Sequence, residues 1–273
     1  MLKDITLGQF FPGKSALHVI DPRVKIILSI AYIVSVFLAK ALSSYILLLL
    51  FTAAIVIMSG IKFKVILRSV KPLLFIIIFT SVINIFFTKG ENLLFEWKFI
   101  QIYSEGIMTA VFMAIRISAL LIGTSVILTY TTSPIALTDA IERLLSPLKY
   151  IKIPVHEFAM MMTIALRFIP TLIEETDKIM NAQKARGADF STGKLTDRAR
   201  ALIPVLIPLF ISAFRRADEL SVAMECRCYR GGNGRTRMTK LHLHFIDFAA
   251  TAAMGLFIAG IVLIGIYQPI YVI

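Results

Sequence analysis

The chain has 273 residues, with 29 Lys and Arg against 17 Asp and Glu, a formal net charge of +12 and a hydrophobic fraction of 58%. Its mean hydropathy of +0.81 exceeds what a soluble core requires, which excludes an ordinary soluble enzyme and makes the chain an integral membrane protein.

Residues 1–21 mix Lys, Asp, Pro and Gly around no apolar centre, so no cleavable signal is expected there. Gly8 to Ser15, "GQFFPGKS", fits the phosphate-loop pattern G-x-x-x-x-G-K-[ST] letter for letter. That pattern cradles phosphate only between a strand and a helix, with backbone N–H groups turned inward. No βαβ pattern surrounds it and Pro12 lacks an N–H, so the match is expected to be inert.

Five stretches are long and apolar enough to be read as spans: residues 24–42, 45–60, 72–88, 106–131 and 248–267. Lys and Arg set their orientation. The N-terminal segment carries Lys3, Lys14, Arg23 and Lys25, and the connection from the second span to the third carries Lys62, Lys64, Arg68 and Lys71, so both are expected inside. The loop 89–105 balances Lys89 and Lys98 against Glu91, Glu96 and Glu105, as an external loop can. Arg116 lies well inside the fourth span, where a charge costs about 2.5 to 3.5 kcal/mol on insertion scales. It therefore needs a partner, either within the helix bundle or along a polar contact path.

Residues 132–245 carry 17 Lys and Arg against 11 Asp and Glu, which places them inside and the C-terminus outside. Within them, residues 135–150 read as an amphipathic helix ending near Pro147, and residues 156–185 as a longer one bent at Pro170. A third, residues 201–223, starts with fourteen mostly apolar residues broken by Pro204 and Pro208 and then turns polar. Fourteen residues are too few to cross a bilayer, so that half is expected against membrane helices or at the interface. Both long helices read as rooted at the membrane with polar far ends.

Those far ends repeat. Arg186 lies between Ala185 and Gly187, four residues after Ala182 and nine after Asp177; Arg227 lies between Cys226 and Cys228, four after Ala223 and nine after Asp218. Singly, each arginine suits a solvated helix end, where a cation complements the dipole. As a pair flanked by small residues they look like a docking device, because the guanidinium fork can bridge carboxylates or carbonyls while small neighbours let a partner's backbone approach. Cys226 and Cys228, with His242 and His244 downstream, match no usual zinc spacing, and read better as small flanking residues than as ligands or a disulfide. Met160, Met161, Met162 and Phe168 read as packing residues, and no carboxylate pair or His cluster is arranged for hydrolysis.

The segments "HVIDPRVK", "TYTTSPIALTDAIERLLSPL", "ALRFIPTLIEETDKIMNAQKARGADF" and "AMECRCYRGGNGRTR" resemble the transmembrane T component of energy-coupling-factor transporters, the family that includes the cobalt-transport membrane subunit. The resemblance runs nearly the whole length. It implies an all-α membrane protein: four spans in residues 1–131, cytoplasmic coupling helices in 132–246 and a last span in 247–273. It further implies a non-catalytic subunit of an ATP-driven vitamin or metal-ion importer. Two ABC ATPases, which themselves bind ATP and Mg, would dock on the signatures Ala185-Arg186-Gly187 and Cys226-Arg227-Cys228. A separate small membrane subunit would capture the substrate. This chain would bind no cofactor, metal or nucleic acid. The second signature departs from the family's Ala-Arg-Gly pattern at both flanks. An ordinary ABC permease forming the substrate path, or a membrane-embedded enzyme, are the other readings that composition allows.

Overall fold

The computed structural model describes residues 10–13, 15–88, 90, 92–97, 100–190, 194–231 and 241–267. Among these the chain is helical save for one short hairpin, and it divides into two compact units: Leu7–Ala140 with Lys240–Ile273, and Met1–Thr6 with Ile141–Thr239.

The first unit opens with α1 (Ala16–Val19) and α2 (Pro22–Leu38). Asp21 caps α2 by accepting the Arg23 N–H at 2.8 Å, and Pro22 supplies the preset φ of a first helical turn. α3 (Leu42–Ser59) ends on Gly60 at φ +67°, which turns the chain into α4 (Phe63–Val70). One 3₁₀ turn, Lys71–Leu73, leads from α4 into α5 (Leu74–Phe87). β1 (Leu93–Trp97) and β2 (Ile100–Tyr103) then pair antiparallel beside α5 and α6 (Ser104–Thr124). The loop expected at 89–105 thus carries a hairpin, an addition to the all-α class. α6 runs directly into a π-helical stretch, Ser125–Tyr130, and α10 (Phe245–Tyr267) closes the unit.

α6 is the hub: α2, α3, α4 and α5 all pack on it, and α10 packs on α2 and α3. The core is aromatic. Phe51 and Phe257 stack at 3.9 Å and 7°, with the Tyr32 ring 6.4 Å from each. The buried Tyr32 hydroxyl donates to the Ala119 carbonyl at 2.9 Å and pairs with Thr52 Oγ1 at 2.8 Å, so its polar tip is satisfied where no water reaches. Gly123 makes room for that ring, since a Cβ there would lie 2.3 Å from Tyr32 Cε1.

Around the core the surface is apolar. Ile57, Phe75 and Leu256 are 78%, 76% and 76% exposed, as a lipid-facing surface requires and as water would penalise. Five helical segments are long and apolar enough to cross a membrane: Leu42–Ser59, Phe63–Phe87, Ser104–Tyr130, Val155–Ala185 and Phe245–Tyr267. Four match expected spans. The expected first span, 24–42, corresponds to the 17-residue helix α2, which is shorter than expected because the backbone leaves the helix at Ala39 and is extended at Ala41. The fifth place goes to a helix of the second unit, whose mean hydropathy of 1.2 is the lowest of the five.

α7 (Pro134–Leu144) leads into that second unit, where a 3₁₀ stretch (Ser146–Ile151) contains Pro147. Two long helices follow, α8 (Val155–Ala185) and α9 (Leu195–Cys226). His156 Nδ1 meets Glu142 Oε1 at 2.9 Å, fixing the start of α8 against the end of α7. α8 is continuous through Pro170 and α9 through Pro204 and Pro208, so these prolines interrupt neither helix. α9 begins six residues before the expected 201, where Asp197 accepts the Lys194 N–H at 3.3 Å.

Gly123→Ala should push Tyr32 off its two partners. The overpacking expected is about 1 to 3 kcal/mol. It should appear as a lowered thermal unfolding midpoint of the detergent-solubilised chain; Tyr32→Ala in the same background should relieve the clash but not restore the lost packing.

Candidate functional site

Helix ends leave carbonyls without intrahelical partners, and the ends of α8 and α9 solve this identically. Arg186 is the C-cap of α8 at φ −87°, ψ 5°, and Arg227 is the C-cap of α9 at φ −91°, ψ 14°. After Arg186, Gly187 takes φ +90°; its N–H donates to Lys184 O at 2.9 Å and that of Ala188 to Gln183 O at 3.0 Å. After Arg227, Cys228 takes φ +55°; its N–H donates to Glu225 O at 2.8 Å and that of Tyr229 to Met224 O at 3.0 Å. Each is a Schellman cap. The near-repeat in sequence is therefore a repeat of three-dimensional structure. Both arginines are exposed, as are Ala185, Gly187, Cys226 and Cys228.

Small flanks follow from the cap. The residue after each arginine must enter the left-handed region, free for glycine but costing about 1 to 2 kcal/mol for a residue with a Cβ. Gly187 was legible as a stop signal. That Cys228 does the same job was not, because cysteine carries no such preference.

Contacts between α8 and α9 fix where the arginines stand. Glu175 accepts from Ser212 Oγ and from Arg216, and Gln183 Nε2 donates to Pro204 O at 3.4 Å. At the other end Gly231 passes beside the Glu157 carboxylate. One antiparallel register accounts for all of these contacts, so Arg186 and Arg227 lie at opposite ends of the hairpin. Arg227 is 23 residues beyond Pro204, about 35 Å along α9 at 1.5 Å per residue. The Ser212 hydrogen bond, and then Arg216, hold the Glu175 carboxyl below its usual range, so the tie stays ionised at neutral pH. The antiparallel register sets the apolar half of each helix beside the polar half of the other.

Arg116, at 8% exposure, has its partners inside the bundle. Its Nη2 donates to Ala39 O at 3.0 Å, at the C-cap of α2, and its guanidinium carbon lies 5.6 Å from the Tyr45 ring centre. A helix-end carbonyl and an aromatic face are both favourable to a cation. Arg116 is not brought to either arginine cap.

Of the phosphate-loop match, Gly8, Gln9 and Lys14 lie outside the described residues. In the remainder, Phe11 N–H is taken by Tyr130 O at 3.0 Å, and the His18 ring fills the space beside Gly13. No three His, Cys, Asp or Glu side chains are grouped as metal ligands among the described residues.

Two structurally matching arginine caps on one antiparallel hairpin, in a chain that also holds a bundle of long apolar helices, are the features to set against known proteins. The cobalt transport protein family model, CbiQ, matches residues 13–239. An energy-coupling factor transporter transmembrane protein (EcfT) of Ruminiclostridium cellulolyticum is 56% identical over 96% of this chain and 98% of its own length. Proteins with that name from Clostridium kluyveri and Bacillus subtilis are 56% and 46% identical, over 92% and 88% of this chain and 93% and 91% of their own. The chain belongs to this family. It is a transmembrane component of energy-coupling-factor transporters, a transport subunit held in the membrane by several helices.

The cap geometry makes a prediction free of any partner. Cys228→Gly should relieve about 1 kcal/mol at the end of α9 and raise hydrogen-exchange protection of the Tyr229 amide roughly five-fold. Gly187→Ala should lower protection of the Ala188 amide by a similar factor.

Proposed function

We propose that this T component is the coupling subunit of an ATP-driven importer, docking one ATPase at Arg186 and the other at Arg227, and passing their motion to a separate substrate-binding membrane subunit. The observation that carries the reading is the pair of equivalent, exposed arginine caps at opposite ends of one hairpin. Sites about 35 Å apart along a helix suit two partners better than one. The chain supplies no catalytic group; ATP and Mg belong to the ATPases, and the cargo is a vitamin or a metal ion.

Neither α8 nor α9 spans in this reading. If α8 crossed the bilayer, the antiparallel register would carry Arg215, Arg216, Asp218 and Glu219 in with it, each charge costing about 2.5 to 3.5 kcal/mol near the centre. Lying along the interface instead, the hairpin keeps Phe210, Ile211 and Phe214, all more than half exposed, available to lipid or to the substrate-binding subunit. The N-terminus is then cytoplasmic and the C-terminus external. ATP binding draws the ATPases together, the two ends move with them, and the surface under the substrate subunit shifts. The helices of residues 1–131 serve as its platform.

Removing an arginine from a buried acceptor site leaves that site unpaired, a loss of about 2 to 5 kcal/mol, which is tenfold or more in affinity. Arg186→Glu and Arg227→Glu should each reduce co-purification of the ATPases and abolish uptake at normal membrane abundance. Lys at either site should give an intermediate defect, since the charge remains but the fork is lost. Arg116→Leu should lower thermal stability while leaving ATPase co-purification unchanged. If both Glu variants retain ATPases and transport normally, the caps are solvated helix ends and the docking reading fails.

Sidedness has its own check. With Cys226 and Cys228 replaced, a cysteine at Asn92 should react with an impermeant maleimide on intact cells, and one at Ser191 only after lysis. The reverse pattern would invert the topology.

A further inference from the structure

We propose that α4 is an interfacial anchor that binds the headgroup layer of anionic phospholipids. Between Pro22 and Gly90 the sequence holds eight Lys and Arg and no Asp or Glu, and four of the eight lie within or at the ends of α4: Lys62, Lys64, Arg68 and Lys71. With no acid in that stretch to neutralise them, the complement has to come from outside it.

The helix has three sectors. Ile66 and Val70, one turn apart, are 2% and 9% exposed, and Ile66 belongs to the core of the bundle. Phe63 and Leu67, also one turn apart, are 69% and 59% exposed. Leu74, at the start of α5 one 3₁₀ turn further on, is also apolar and 46% exposed. The apolar stripe of α4 thus runs on into the apolar outer surface of α5. Lys64 and Lys71, both exposed, fall beside this stripe on the side away from the core, and Arg68 shares their register. An apolar edge facing the hydrocarbon boundary with a cationic flank next to it is the arrangement that inserts between lipids and holds their phosphates. Each cation near an anionic surface adds to the attraction. A zwitterionic surface offers the same apolar boundary without the net charge, so the preference for anionic lipid should reside in the lysines and the depth in Phe63 and Leu67.

Position matters as well as binding. α4 joins α3 to α5 through Gly60 at one end and a single 3₁₀ turn at the other, so headgroups that hold α4 also hold the angle between those two helices.

Two measurements on the full chain in nanodiscs test this. For depth, Phe63→Trp is made in a Trp97→Phe background, which removes the native tryptophan, and lipids brominated at shallow and deep acyl positions are compared. Shallow bromines should quench several-fold more than deep ones. For headgroup preference, native mass spectrometry counts retained phosphatidylglycerol against phosphatidylcholine from an equimolar mixture. Wild type should enrich phosphatidylglycerol, Lys62→Gln with Lys64→Gln and Lys71→Gln should lose that enrichment, and arginine at the same three sites should keep it. Absence of quenching at either depth would mean that α4 lies in water or under protein, and the proposal is wrong. Enrichment unchanged by the glutamine substitutions would overturn the assignment of the anionic site to α4.

Discussion

Buried hydrogen bonds from α2 hold the membrane bundle in register. In lipid, apolar packing gains little from excluding water, because hydrocarbon surrounds the helices whether or not they associate. Polar contacts between helices then decide which faces meet. α2 and its N-cap make several: Tyr32 to Ala119 O of α6 and to Thr52 of α3, Lys25 Nζ to Thr131 O at 2.9 Å and Thr132 Oγ1 at 3.3 Å, and the Asp21 N–H to Asp247 of α10 at 2.8 Å. The Tyr32 and Lys25 bonds lie about two turns apart along one helix, so sliding or rotating α2 against α6 and the segment that follows it breaks both, while the Asp21 bond holds α2 to α10. Asp247 also accepts the His244 N–H at 2.6 Å, which starts α10 where α2 starts. The Gly123 gap and the aromatic stack are consequences of this register, since only with Tyr32 aimed at Ala119 does its ring cross Gly123.

Much of this was legible as pattern and little of it as pairing. Apolar runs located four of the five long helices, because hydrocarbon thickness fixes their length. The fifth, α8, reads in sequence as an amphipathic helix. α2 ends at Ala39, short of the expected 42, and nothing in alanine announces a break there. Lys25 shows a subtler failure. Counting Lys and Arg treats it as a solvated loop charge, yet it is 2% exposed and donates to a carbonyl more than a hundred residues away. Arg116 was visible as a charge in need of a partner. Its partner was not, because a backbone carbonyl has no signature in sequence.

The arginine pair divides in the same way. Spacing exposed the near-repeat at 186 and 227, and the Ala-Arg-Gly run tied it to a family. The matching caps could be read only at Gly187, since Cys228 enters the left-handed region against its own preference. The antiparallel arrangement follows from chain geometry, since the nine residues 186–194 cannot return the length of the 31-residue α8. The register within it was not legible; the Glu175–Ser212 and Gln183–Pro204 contacts set it.

The antiparallel arrangement changes what the hairpin can transmit. Two parallel pillars would carry both docking sites at one end, and a pull on either would tilt the pair together. Antiparallel helices put the sites at opposite ends, so approaching partners act as opposed forces on a single rod, and the response depends on how firmly the helices are tied midway. Glu175 supplies such a tie, holding Ser212 and Arg216 of α9 from α8. Its exposure limits what it adds to stability, but it ties α8 to α9 well inside both arginine caps. In the proposed coupling, a rod tied midway and apolar on part of its surface would turn a change in separation between its ends into a change of shape at that surface, where a membrane partner would register it.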